Sequence, residues 1–212
     1  RLEPFASAVV AFLVTTTLLL VLRPLADAVG LVDRPGGRKT HSGVIPVVGG
    51  IAMFGGVIMA AVTSDQLQRH SGMVLLAAVL MVLIGVLDDR FDLKPQFRLF
   101  AHAVAAISLA YGSGFVVLDL GNLLGFGDIP LGWLALPFTV LAGMALINAF
   151  NMLDGLDGLA GGCALVAFLG LSAIGIDGGA TSSAVMCLSL AGACLGFLMF
   201  NLPARCNRGF RT

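Results

Sequence analysis

Seven apolar segments, at residues 5–22, 46–63, 73–87, 99–117, 131–147, 159–176 and 184–200, make up most of the chain. A helix needs about 20 apolar residues to cross the hydrocarbon core of a bilayer. Several of these segments are shorter than that, the one ahead of Asp88 most of all. A soluble fold requires a polar face on each helix. Charged residues are 11% of the chain, against roughly 25% in a soluble domain, and the segments have no such face to offer. The expected fold is therefore all-α: a polytopic integral membrane protein of about seven transmembrane helices, forming a single membrane domain over residues 1–212. The 28 glycines, without a collagen period, suit helices whose backbones approach closely.

The basic residues are distributed unevenly. Of the 12 Lys and Arg, all but Arg1 and Arg69 fall on one side of a seven-span arrangement. Lys and Arg concentrate in cytoplasmic loops, which predicts an outward N-terminus and a cytoplasmic C-terminus. Cytoplasmic loops are then expected at about 23–45, 88–98 and 148–158. The outward stretch "LDLGNLLGFGDIP" has turn residues around short apolar pieces and predicts a small hairpin. The 12 acidic residues cancel the basic ones, so net charge gives no sign of a nucleic-acid partner. The four cysteines lack metal-ligand spacing and read as structural.

Three polar clusters interrupt the apolar pattern on the predicted cytoplasmic side. In "GVLDDRFD", Asp88 and Asp89 end an apolar run and Asp92 follows within one turn. Carboxylates held this close repel one another unless a cation joins them. A hard divalent ion with oxygen ligands, Mg²⁺ beside a substrate phosphate above all, would relieve that repulsion. The alternative is a set of helix-end carboxylates facing the cytosol. In "NAFNMLDGLDGLAGG", Asn151, Asp154 and Asp157 recur every three residues, with Gly155 and Gly158 among them. Polar groups near a membrane interior are functional candidates by default, although hydrogen bonding within a kinked helix would also account for them. The third cluster is "DRPGGRKTHSGVIPVVGG", where Arg34, Arg38, Lys39 and His41 form a basic patch. Lys39 and His41 are its candidate phosphate contacts, and Gly49-Gly50 opens the next apolar helix after Pro46. His102 stays open between a packing and a catalytic role, and Trp133 fits an interfacial anchor.

Together, "LVDRPGGRKTHSGVIPVVGG", "GVLDDRFDLKPQFR" and "NAFNMLDGLDGLAGG" resemble the polyprenyl-phosphate N-acetylhexosamine-1-phosphate transferases, from about residue 15 to residue 203. The resemblance implies a multi-pass enzyme of the bacterial inner membrane with cytoplasmic active-site loops. It would transfer N-acetylhexosamine-1-phosphate, with N-acetylglucosamine the expected sugar, from a UDP-sugar to undecaprenyl phosphate. UMP is released, and the product initiates O-antigen or related envelope polysaccharide. Mg²⁺ or Mn²⁺ would be required. Asp88 and Asp89 match the acidic pair implicated in metal binding or in deprotonating the lipid phosphate. Asn151, Asp154 and Asp157 match the motif of the nucleotide and metal pocket, and Lys39 and His41 fall in the basic segment that contacts substrate. Asp88, Asp89 and Asp154 are the implied metal ligands.

The sequence departs from that family after "FNLP". Members continue into a GDAGS-like segment and a His-rich loop, whereas here "ARCNRGFRT" follows. The chain is thus expected to be the N-terminal part of a longer transferase fold, with residues 204–212 a truncated tail. Competing readings are an inactive fragment of such an enzyme and, further off, a membrane transporter with broken helices. Self-association is expected if the face that normally meets later helices is left uncovered.

Overall fold

The computed structural model describes residues 3–28, 30–33, 45–64, 69–91 and 93–202. Within them the apolar segments all fold as α-helices: α1 Glu3–Ala26, α2 Gly49–Thr63, α3 Arg69–Phe91, α4 Pro95–Ser113, α5 Ala135–Leu153, α6 Leu159–Asp177 and α7 Thr181–Asn201. Two short strands, β1 Val32–Asp33 and β2 Ile45–Pro46, pair antiparallel between α1 and α2, with Val32 opposite Pro46. The "LDLGNLLGFGDIP" stretch does turn back on itself. Asp119 bridges Pro130, and the Leu120 N–H donates to the Ile129 carbonyl at 3.0 Å. A single 3-10 turn, Gly132–Leu134, then leads into α5 and leaves Trp133 85% exposed.

The expectation of about seven transmembrane helices, with the N-terminus outside and the C-terminus cytoplasmic, is corrected by the helices themselves. Among the described residues, four helices are long and apolar enough to cross a membrane: Pro4–Ala26, Gly132–Leu153, Leu159–Asp177 and Thr181–Asn201, with mean hydropathies of 2.4, 1.8, 2.1 and 2.0. The reasons are local. α2 has 15 residues, which at 1.5 Å per residue is about 22 Å against a core of about 30 Å. α3 ends in Asp88, Asp89 and Arg90 within its last turns, and α4 opens on Pro95, Gln96 and Arg98 with His102 one turn later. An apolar run in the sequence therefore marked a helix without marking a crossing. The N-out assignment depended on an odd number of crossings, so the orientation of the termini does not follow.

The helices form two groups. α7 is the central helix of the first, packing on α1, α6 and α2. Its membrane-length window is 61% buried, against 6% for that of α5. Small residues let α1 and α7 approach closely. A Cβ on Gly192 would overlap the Ala8 carbonyl oxygen, and one on Gly196, a turn later, would crowd that of Phe12. These are the small positions one turn apart that close helix packing in lipid favours. The aligned contacts make α1 and α7 parallel, and at their C-terminal ends Arg23 lies over the Phe200 ring, 5.6 Å from its centroid. The second group is α3, α4 and α5, with α4 packed between the other two. The groups meet where α2 touches α3 and at the turn between α5 and α6, and the two candidate motifs among the described residues lie near that turn.

Candidate functional site

Asp88 sits in the last turn of α3 and closes the connection to α4. Its Oδ1 accepts the Leu93 N–H at 3.0 Å, and its Oδ2 accepts Arg98 Nη1 at 3.1 Å. Both carboxylate oxygens thus have partners, and a cation already neutralises the charge. Pro95 at the first position of α4 gives up an N–H that has no helical partner in any case, so α4 begins promptly and brings Arg98 back over Asp88. The pair is part-exposed, at 34% for Arg98 and 21% for Asp88. Asp89 is exposed on the next position of α3.

Asp88, Arg98 and His102 line a cavity of about 230 Å³ together with Asn151 of α5. Met81, Ile84 and Gly85 of α3 and Ile147 of α5 complete the wall. His102 is 6% exposed, and its Nδ1 has no hydrogen-bond partner. Burial, and after it the Arg98 guanidinium, lowers the imidazole pKa below its ordinary 6.5, against the opposing pull of Asp88. These surroundings favour the neutral ring.

Asp154 caps the C-terminal end of α5, where its N–H donates to the Phe150 carbonyl at 3.1 Å. By area the residue is exposed, yet protein atoms crowd its carboxyl closely enough that partial desolvation raises the pKa above 3.8. Asp157 is exposed on the same turn. Gly158 then starts α6 in the left-handed region, at φ +77°, where a side chain is strained. Its N–H donates to Asn201 Oδ1 of α7 at 2.6 Å. That bond ties the acidic turn to the central helix.

The structure thus brings two of the three clusters to one end of the bundle, with Asp88 and Asn151 on a common cavity. Lys39 and His41, with Arg34, Arg38 and Asp92, lie outside the described residues. Among the described residues, no three His, Cys, Asp or Glu side chains form a group able to hold a metal ion. With Asp88 engaged by Arg98 and the Leu93 N–H, the side chains as placed do not form a cage for Mg²⁺. Two residues escaped the sequence reading. Arg98 was counted only as a topology signal, although its helical spacing from His102 puts both on one face of α4. Asn201, within "FNLP", had no assigned role, and nothing local in the sequence marks its reach to Gly158.

A polytopic helical membrane protein with acidic and amide side chains gathered at helix ends is what these features define. The chain belongs to glycosyl transferase family 4, whose pattern matches residues 71–209. It is 38% identical over 191 residues to the undecaprenyl-phosphate alpha-N-acetylglucosaminyl 1-phosphate transferase of Yersinia pestis, covering 90% of this chain and 52% of the relative. The proteins of that name from Escherichia coli (strain K12) and Salmonella typhi are 39% and 38% identical, with the same coverage of 90% and 52%. The chain spans about half the length of these curated relatives.

Proposed function

We propose that this chain carries the catalytic-end part of an enzyme that transfers N-acetylhexosamine-1-phosphate, N-acetylglucosamine-1-phosphate in the first instance, from a UDP-sugar to undecaprenyl phosphate. The supporting observation is that Asp88 and Asn151, from two motifs far apart in the chain, line one cavity beside the turn that carries Asp154 and Asp157. The likeness to relatives of the stated activity supports the same reading.

In the transfer, an oxygen of the lipid phosphate attacks the β-phosphorus of the UDP-sugar. The bond from that phosphorus to the bridging oxygen breaks, and UMP leaves with the bridging oxygen and its electron pair. Both reactants are anions, so alignment and charge compensation carry most of the catalysis. Asn151, Asp154 and Asp157 are assigned to the nucleotide side, and Lys39 and His41 to the substrate phosphates. Asp88 and Asp89 are assigned to the acceptor phosphate, with Asp88 acting through its hold on Arg98 and the α3–α4 turn. Family membership points to a divalent-metal-dependent transferase. The described side chains do not assemble such a site, so no step here is drawn through the metal. The setting is the bacterial inner membrane, with both acidic clusters facing the cytoplasm that supplies the UDP-sugar. The polyprenyl tail stays in lipid while the phosphate reaches the helix ends.

The test is UMP release from UDP-N-acetylglucosamine in nanodiscs containing undecaprenyl phosphate, using a protein of the relatives' full length that carries this sequence. Asp88→Asn, Asp89→Asn and Asp154→Asn should each cut release severely while the protein stays in the membrane. Near-normal release from all three variants would remove this chemical centre.

A further inference from the structure

The cavity between α3, α4 and α5 holds polar groups whose own ligand contacts the assignments above leave open, Arg98 and His102 first among them. Arg98 meets Asp88 through Nη1, which leaves the other N–H groups of a five-donor fork to face elsewhere. One turn along the same face of α4, His102 lines the cavity with 6% exposure and an unpartnered Nδ1. A buried ring nitrogen without a partner is costly unless a ligand atom or an ordered water completes it. Asn151 adds an amide from the opposite wall. The Arg98–Asp88 pair is neutral overall, so the site offers directed hydrogen-bonding groups with no excess positive charge from that pair. About 230 Å³ exceeds the roughly 30 Å³ share of a single water severalfold and admits a tetrahedral oxyanion with some of its hydration.

We propose that Arg98 and His102 form an oxyanion subsite in this cavity that binds a phosphomonoester, with Asp88 positioning Arg98. Its chemistry fits a lipid phosphate headgroup or free phosphate alike. Taking the ligand to be the acceptor lipid rests on the transferase reading, and the apolar wall of Met81, Ile84 and Ile147 suits an attached alkyl chain.

Binding is measured without UDP-sugar, by ³¹P NMR titration of the purified chain. One arm uses inorganic phosphate with protein in detergent. The other uses dodecyl phosphate in phosphatidylcholine nanodiscs. Arg98→Gln and His102→Phe should each weaken binding by about tenfold or more, the worth of one charge-assisted or buried hydrogen bond. Arg98→Lys, which can keep the ion pair with Asp88 but loses the fork, should bind between wild type and Arg98→Gln, and Lys94→Gln should bind as wild type. Saturable binding of dodecyl phosphate alone identifies a lipid headgroup site, and equal binding of both probes identifies a general phosphate site. Absence of saturable binding to the wild type overturns the subsite, as does wild-type affinity in Arg98→Gln and His102→Phe. If those two variants do not fold, wild-type affinity in Arg98→Lys overturns it. UMP release alongside undiminished phosphate affinity in the variants would reject the subsite and leave the transfer standing, whereas phosphate binding without UMP release would do the reverse.

Discussion

Asn201→Ala removes the acceptor that holds the acidic turn to α7. The bond it deletes, from the Gly158 N–H to Asn201 Oδ1, is short at 2.6 Å and part-buried. A neutral hydrogen bond of this kind contributes a net of about 0.5–1.5 kcal/mol, rising to about 1–3 kcal/mol if the donor stays buried and unpaired. Partial burial lets water reach the orphaned amide, so about 1 kcal/mol is the expected loss. Gly158 is constrained from its other side as well. At φ +77° a Cβ is strained, and it would come within 2.5 Å of Leu202 Cδ2. Gly158→Ala should therefore loosen the same turn, by about 1–2 kcal/mol for the left-handed backbone alone. Because the two residues share one contact, their effects should not add. Hydrogen–deuterium exchange in detergent or nanodiscs reads this locally. A loss of about 1 kcal/mol corresponds to roughly fivefold faster exchange across residues 154–159 in Asn201→Ala. Unchanged protection there, or strictly additive effects in the double variant, would refute the tie between the acidic turn and the central helix.

Other expectations follow from the same geometry. The raised pKa of Asp154 means the folded state holds that proton more tightly than the unfolded one. Its stabilisation is full below 3.8 and is lost as pH rises through the higher folded value. Asp154→Asn should remove that decline and be the more stable form at neutral pH; thermal unfolding curves with the same pH slope in both proteins would contradict it. Gly192→Leu drives a side chain into the α1 backbone at Ala8 and should destabilise by about 1–3 kcal/mol or more, read as a lower melting temperature in detergent. A double-mutant cycle on Asp88→Asn and Arg98→Gln should give a coupling of about 1 kcal/mol at most for this part-exposed pair, and a much larger value would mean that the pair is desolvated in lipid. In the full-length protein, a chelator should stop UMP release and added Mg²⁺ restore it; full activity in the chelator would remove the metal requirement.

What the sequence made legible was periodic or contiguous. Each apolar run became a helix, and α2 does begin at Gly49, just after the Pro46 that the sequence marked as a boundary. The acidic cluster at Asp88 and the amide at Asn151 do share one end of the bundle. Membrane crossing was not legible from runs alone, because a few residues at a helix end decide it. Arg90 and the two carboxylates weigh on α3, while Arg98 and His102 weigh on α4. Contacts across turns were equally hidden. The repulsion expected between neighbouring carboxylates called for a cation, and one is present at Asp88 as Arg98, ten residues along on the next helix. Asn201 is still further from Gly158, 43 residues away in sequence. No helical spacing rule reaches across such a separation.

The parallel packing of α1 against α7 has a consequence for how the chain is made. α1 ends at Ala26 and α7 begins at Thr181, so α1 is synthesised long before the surface against which it packs most extensively. At about 5–20 residues per second, the ribosome needs on the order of 10–30 seconds to bridge that interval. During it, the strip of α1 around Ala8 and Phe12 that later meets Gly192 and Gly196 must be held by lipid, by α2 or by an insertion chaperone. Mispairing of that strip is the hazard that this order of synthesis creates.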